Sequence, residues 1–214
     1  MKHISACLFA FLVIMLSACQ SSLISDLAAS PGEALFRDDF SGASGNWPQA
    51  SGPNGSLGIV QGAYQILALS PHYEVLAAHR HSFRNVQIEV DATRLAGPVQ
   101  NLLGLICRSR NSEEAYFFAI SSDGYYALGK IKNGKISLLG QEMMAYNANI
   151  IQGDGPNHLR FDCLGDTLTG YVNGQVVANS NDIDFSSGDA GLVAGSLDTP
   201  GVDAAFDNFV VYKP

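Results

Sequence analysis

AYFFAISSDGYYALGKIKNGKISLL, residues 115–139, reads as three strands joined by two tight turns. Asp123-Gly124 and Asn133-Gly134 supply the positive φ angles that two-residue hairpin turns demand, and aromatic and β-branched residues fill the runs around them. In Tyr116–Ile120 both alternating faces are apolar, which suits a strand in the middle of a sheet rather than one with a solvated side. The expected unit is a three-strand meander.

The same pattern extends in both directions. VQIEVDA alternates, with Val86, Ile88 and Val90 on one face and Gln87, Glu89 and Asp91 on the other. LRFDCLGDTLTGYVNGQVVA turns near Gly165-Asp166 and at Asn173-Gly174, and AAFDNFVVY reads as a terminal strand. From Leu35 onward no window holds a 3.6-residue period. Short strands at this spacing, with 22 glycines, predict an all-β antiparallel sandwich or barrel. Residues 41–58 and 145–157 read as its long loops.

The chain opens with MKHISACLFAFLVIMLSACQ. Lys2 precedes an apolar run from Cys7 to Leu16, well short of the roughly 20 residues that a spanning helix needs. Leu16-Ser17-Ala18-Cys19 resembles a bacterial lipobox. That resemblance implies a lipoprotein signal peptide over residues 1–18, lipidation of Cys19, and an exported protein anchored to a membrane of the cell envelope by acyl chains. Gln20 after the lipidated cysteine implies outer-membrane sorting in a host with two membranes. Residues 19–34, small and polar and containing Pro31-Gly32, then serve as lipidated cysteine and flexible tether, and residues 35–214 as the folded domain.

Charge narrows the partners. Twelve Lys and Arg stand against 20 Asp and Glu, for a net charge of −8, and loss of Lys2 with the leader makes the chain more acidic still. Nucleic acid is excluded as a partner because phosphate binding needs clustered cations, and Lys130, Lys132 and Lys135 flank a turn rather than forming a patch. Of four cysteines, Cys107 and Cys163 remain once Cys7 departs and Cys19 is lipidated. Leu103, Leu105 and Cys107 share one strand face, as do Leu159, Phe161 and Cys163. Export favours a disulfide between the two cysteines, with two buried free thiols as the other reading.

FRDDFSGASGNW (36–47), FFAISSDGYYALGK (117–130), LTGYVNGQVV (168–177) and FDNFVVY (206–212) occur in an order that resembles the concanavalin A-like lectin/glucanase superfamily. The nearest group is the bacterial exported domains labelled 3-keto-disaccharide hydrolase or laminin G-like. The likeness covers roughly residues 35–214 and implies a two-sheet jelly-roll sandwich. Glucanases of the superfamily carry Glu-x-Asp-x-x-Glu on one strand, as retaining hydrolysis requires. Here Glu89 and Asp91 are the catalytic candidates, but the third position is Arg94, which cannot serve as the acid. A Gly-Tyr-Glu run common in the hydrolase group corresponds to Ala115-Tyr116-Phe117, so Phe117 stands where the acid would be. The superfamily often ties its first and last strands with calcium, and the matching positions, Asp39 and Asp207, are candidate ligands for one structural ion. No other cofactor is called for.

Sugar binding needs flat aromatics and planar polar groups. Trp47, Glu89, Arg108, Tyr116, Tyr126 and Arg160 are the candidates for a carbohydrate or other envelope ligand, while Glu89, Asp91, Arg160 and Asp162 also suit cross-strand charge pairs on a solvated sheet. His79 and His81 share a strand face without a completing zinc set, and read as exposed. The expected protein is a non-catalytic, lipid-anchored binding domain. A glycoside hydrolase and a structural, partner-binding envelope protein are the alternatives.

Overall fold

The computed structural model describes residues 29–42 and 47–214, so the leader, Cys19 and most of the tether lie outside the described residues. The chain forms strands β1 (Ala34–Asp38), β2 (Ala50–Gly52), β3 (Gly55–Val60), β4 (Ala63–Ala68), β5 (Tyr73–Phe83), β6 (Val86–Ala96), β7 (Asn101–Asn111) and β8 (Glu114–Ile120). There follow β9 (Tyr125–Lys132), β10 (Lys135–Leu138), β11 (Ala145–Tyr146), β12 (Asn157–Leu164), β13 (Thr167–Val172), β14 (Gln175–Asn181), β15 (Gly188–Ser196) and β16 (Val202–Tyr212). The quoted meander is β8-β9-β10, and Asn133 and Gly134 both take positive φ at its second turn, as a two-residue hairpin requires. The expectation of one long loop over residues 41–58 gives way to a hairpin. Ser56, Gly58 and Val60 alternate with Leu57 and Ile59, and β3 pairs with both β2 and β4.

Two antiparallel sheets result. The first runs β14-β13-β12-β6-β16-β4-β3-β2, with β1 beside the last residues of β16, where Asp38 lies opposite Phe209. The second runs β10-β9-β8-β7-β15-β5, with β11 also on β9. All pairings are antiparallel, and the architecture is the two-sheet jelly-roll sandwich that the sequence predicts.

The core forms where the inward rows meet. Ile88, Leu159, Phe161 and Phe206 of the first sheet face Leu105, Tyr116, Phe118 and Leu192 of the second, all fully buried. Cys107 of β7 and Cys163 of β12 form a disulfide across the sandwich, with Cα atoms 6.8 Å apart. In the chain-entropy treatment, closing a loop of that size contributes about 4 kcal/mol or less. Nearby, the Phe118 ring lies directly on Gly170 of β13. A Cβ at Gly170 would stand 2.3 Å from the Phe118 ring, so only glycine lets the sheets approach this closely.

The other end of the core holds an aromatic stack. Phe36 of β1 stacks on His79 at 3.6 Å between ring centroids, and His79 stacks on His81 at 5.0 Å. Trp47 closes over them against Phe40, Tyr64 and Phe209. The histidines are thus not the exposed pair expected: His79 is buried, and His81 half-buried. Parity explains it, because Ala77, His79, His81 and Phe83 fall on the same inward row of β5. Burial, reinforced by the neighbouring His81, pushes the His79 imidazole down to about 4.

Two outcomes follow from this packing. Gly170→Ala drives a methyl into the Phe118 ring and is expected to lower stability by about 1–3 kcal/mol, measured by urea denaturation. His79 is neutral in the folded chain down to about pH 4, whereas the unfolded imidazole takes up its proton near the ordinary 6.5. The unfolded state therefore binds more protons across that window, so this contribution is complete above about pH 6.5 and declines as pH falls toward 4. The fall in melting temperature between pH 7 and pH 4.5 is expected to be shallower in His79→Gln; equal slopes would contradict the assignment.

Candidate functional site

The outward row of the first sheet is built by period-two alternation. On β6 the inward positions Val86, Ile88 and Val90 are buried, so Gln87, Glu89 and Asp91 face out. β12 pairs with β6 so that Arg160 lies opposite Glu89 and His158 opposite Asp91. Arg160 donates to both oxygens of Asp162 at 2.7 Å and lies over the Tyr171 ring at 4.7 Å. His158 Nδ1 stands 2.8 Å from Asp91 Oδ1, and Asn208 donates to the other Asp91 oxygen at 2.9 Å. His158 Nε2 is 3.6 Å from Glu89. Asp91 pairs across the strands with His158 and Asn208, Asp162 pairs along β12 with Arg160, and Glu89 has the 3.6 Å approach of His158 to one of its oxygens. Arg94, the third position of the glucanase motif, donates to the Gly97 carbonyl at 2.6 Å and pairs with Asp154.

Three expected ligand residues lie inside the protein instead. Trp47 is buried, and its indole N–H donates to Asp38 at 3.1 Å. Arg108 is buried and donates to the carbonyls of Arg84, Phe185 and Gly165 at 3.1, 2.9 and 2.7 Å. Tyr116 donates to Asp182 at 2.6 Å and accepts from the Phe185 N–H at 3.0 Å, and burial with the Asp182 carboxylate beside it pushes the phenol up to about 12. Lys130 bridges Asp182 and Asp184, and Lys132 reaches Asp184 at 2.7 Å. Together these side chains pin residues 182–185 across one end of the sandwich. Their polar atoms are engaged within the fold. Tyr126 is half-buried and packs against the core.

Asp39 and Asp207, the candidate calcium ligands, are occupied locally. Asp39 accepts from the Ser41 N–H and hydroxyl, and Asp207 from the Asn208 N–H. Among the described residues no group of three or more His, Cys, Asp or Glu is assembled to hold a metal. Calcium here would need backbone carbonyls and water in addition to these two carboxylates.

Two concave regions stand apart from those expectations. On the outer face of the first sheet, a cleft of about 410 Å³ is lined by Gln49, Ser51, Ser56, Gln65 and Asp203 among apolar neighbours. Asp203 Oδ1 is buried there without a hydrogen-bond partner, and burial pushes the carboxyl above its ordinary range. Sequence reasoning passed over it because an acid in VDAAF carries no motif; its outward parity, opposite Leu67 of β4, was the available signal. The second region is a groove of about 240 Å³ on the outer face of the second sheet. Phe117 lies in that groove with Ala119, Ala127 and Ile131.

Fold and clefts together define a class: an antiparallel jelly-roll sandwich with open clefts on both outer faces. Solved structures of this kind surround it. The chain is similar to carbohydrate-binding module CBM66 from Bacillus subtilis, with a TM-score of 0.62 and 20% identity over 78% of this chain and 95% of that one. A Bacillus subtilis protein with a galectin-like fold matches with a TM-score of 0.61 and 11% identity, over 86% of this chain and 97% of that one. A Bacillus licheniformis β-glucanase matches with a TM-score of 0.57 and 14% identity, over 84% and 97%. These likenesses show the shared two-sheet jelly-roll fold. No protein-family description matches the chain, and no curated protein matches its sequence.

Proposed function

We propose that this chain is a lipid-anchored module of the cell envelope that holds a saccharide without cleaving it. The observation that carries the reading is the cleft on the first sheet. Asp203 Oδ1 is a buried acceptor with no donor, and an unmet acceptor costs about 1–3 kcal/mol, which a sugar hydroxyl would offset. Gln49, Ser51, Ser56 and Gln65 add donors and acceptors around it, and Leu67 and Val60 offer apolar surface for a sugar's C–H face. The kinship of fold with a carbohydrate-binding module supports saccharide as the ligand class.

Binding rather than hydrolysis is favoured by the state of the carboxylates. Glu89 and Asp91 face His158, Arg160 and Asn208, and Arg94 replaces the third acid. The position that the Gly-Tyr-Glu likeness would give to an acid holds Phe117, in an apolar groove. The anchor rests on the lipobox likeness of residues 16–19 and places the domain at a membrane surface through Cys19.

Calorimetric titration with a panel of soluble gluco-, fructo- and N-acetylglucosamine oligosaccharides tests the reading. At least one is expected to bind, and Asp203→Ala is expected to weaken it tenfold or more. The same variant should melt no lower than the native chain, because the deleted oxygen has no partner to lose. A panel negative throughout, or binding indifferent to Asp203→Ala, would overturn it.

A further inference from the structure

The second sheet departs from the usual division of an antiparallel sheet into an apolar face and a wet one. Its outward side chains form a second apolar cluster, separate from the core between the sheets, that includes Leu102, Ile106, Phe117, Ile131 and Val193. Register shapes this face into a trough. Val193 lies opposite Gly104, Gly104 opposite Ala119, and Ala119 opposite Ala127, so one row of small residues crosses four adjacent strands. Three inter-strand spacings of about 4.8 Å make that floor roughly 14 Å long. Phe117 and Ile131 wall one side, and Leu102 and Leu197 the other. Leu138 of β10 and Met144 from the segment beyond it lean over the top. Gly129 is required here: a Cβ on it would stand 2.5 Å from the Phe117 ring and 2.7 Å from the Ser137 carbonyl.

The lining dictates the occupant. Glu74, on edge strand β5, is its one polar side chain, and burial raises its carboxyl above the ordinary range. The backbone beneath is committed to the sheet ladder. A sugar or a peptide laid along the trough would leave its own donors and acceptors unmet, at a cost of kilocalories per group. A hydrocarbon chain has none to lose, and the single polar group at the edge-strand end matches a molecule polar at one end only. At about 240 Å³ the trough lies below the usual range of drug-sized pockets, which suits one slender chain rather than a protein interface.

We propose that this trough binds a single unbranched alkyl chain, with the polar head of the ligand at Glu74. The site is distinct from the Asp203 cleft and carries an independent ligand. Fluorescence titration of the purified full chain with dansyl-undecanoic acid, in detergent-free buffer, tests it. Saturable emission enhancement is expected, reversed by dodecanol and unaffected by the oligosaccharides. Met144→Lys, on the rim, and Ala127→Leu, on the floor, are each expected to weaken probe binding tenfold or more while near-ultraviolet circular dichroism stays native. Asp203→Ala is expected to leave it unchanged. Absence of saturable binding, or native affinity in both trough variants, overturns the proposal. So does equal loss in Asp203→Ala, which would place the probe in the other cleft.

Discussion

Apolar side chains on both faces of the second sheet are the constraint on which the rest of the structure depends. One face must be covered, and the first sheet covers it, which forces the sandwich. That contact is close because Gly170 admits the Phe118 ring, and the Cys107–Cys163 bridge ties the sheets beside it. Among the described residues the other face has no third layer. Small residues at Gly104, Ala119 and Ala127 let the sheet form a trough, and the β10 segment folds partly over it. The outward apolar cluster is buried by its own neighbours, with Leu76, Leu138, Met144 and Leu197 packed against it.

Polar chemistry is correspondingly displaced. Inside the sandwich it serves closure: Arg108, Tyr116 and Lys130 hold residues 182–185 through hydrogen bonds to carbonyls and carboxylates, and a satisfied buried network of this kind fixes one arrangement. On the outer face of the first sheet it forms a charge network of half-buried Glu89, Asp91 and Arg160 with buried Asp162. Among the described residues the buried polar atoms without a hydrogen-bond partner are scattered over His79, His81, Arg94, Asp123 and Asp203, and of these Asp203 alone lines the 410 Å³ cleft. The protein thus presents an apolar trough on one outer face and a cleft of mixed polar and apolar lining on the other, while Asp91 of β6 is paired to His158 and Asn208.

Much of the fold was legible in the sequence, for a physical reason. Period-two alternation and Asx-Gly turns are local signals, and they correctly gave the meander, the β12–β14 region and the last strand. Parity also placed Cys107 and Cys163 on inward rows that meet. The hairpin at β2–β3 was missed because its Gly- and Ser-rich sequence has little side-chain contrast and gains its pairing from β4. The site was far less legible. Trp47, Arg108 and Tyr116 have the composition of a sugar platform, yet their partners are 9 to 77 residues away, at Asp38, Arg84, Gly165, Asp182 and Phe185. No local pattern announces such partners. Phe117 was read as a missing acid, and the structure adds what replaces it, a wall of the apolar trough.

The central claim is that the two apolar faces of the second sheet do different jobs, one packing the core and the other holding a ligand. Methyl-resolved nuclear magnetic resonance during titration with decanol measures this directly. The account predicts that the methyl signals of Ala119, Ala127, Met144 and Val193 move while those of Leu105 and Leu128, on the inward face of the same sheet, stay fixed. Equal movement on both faces, or none on the outer one, would contradict it.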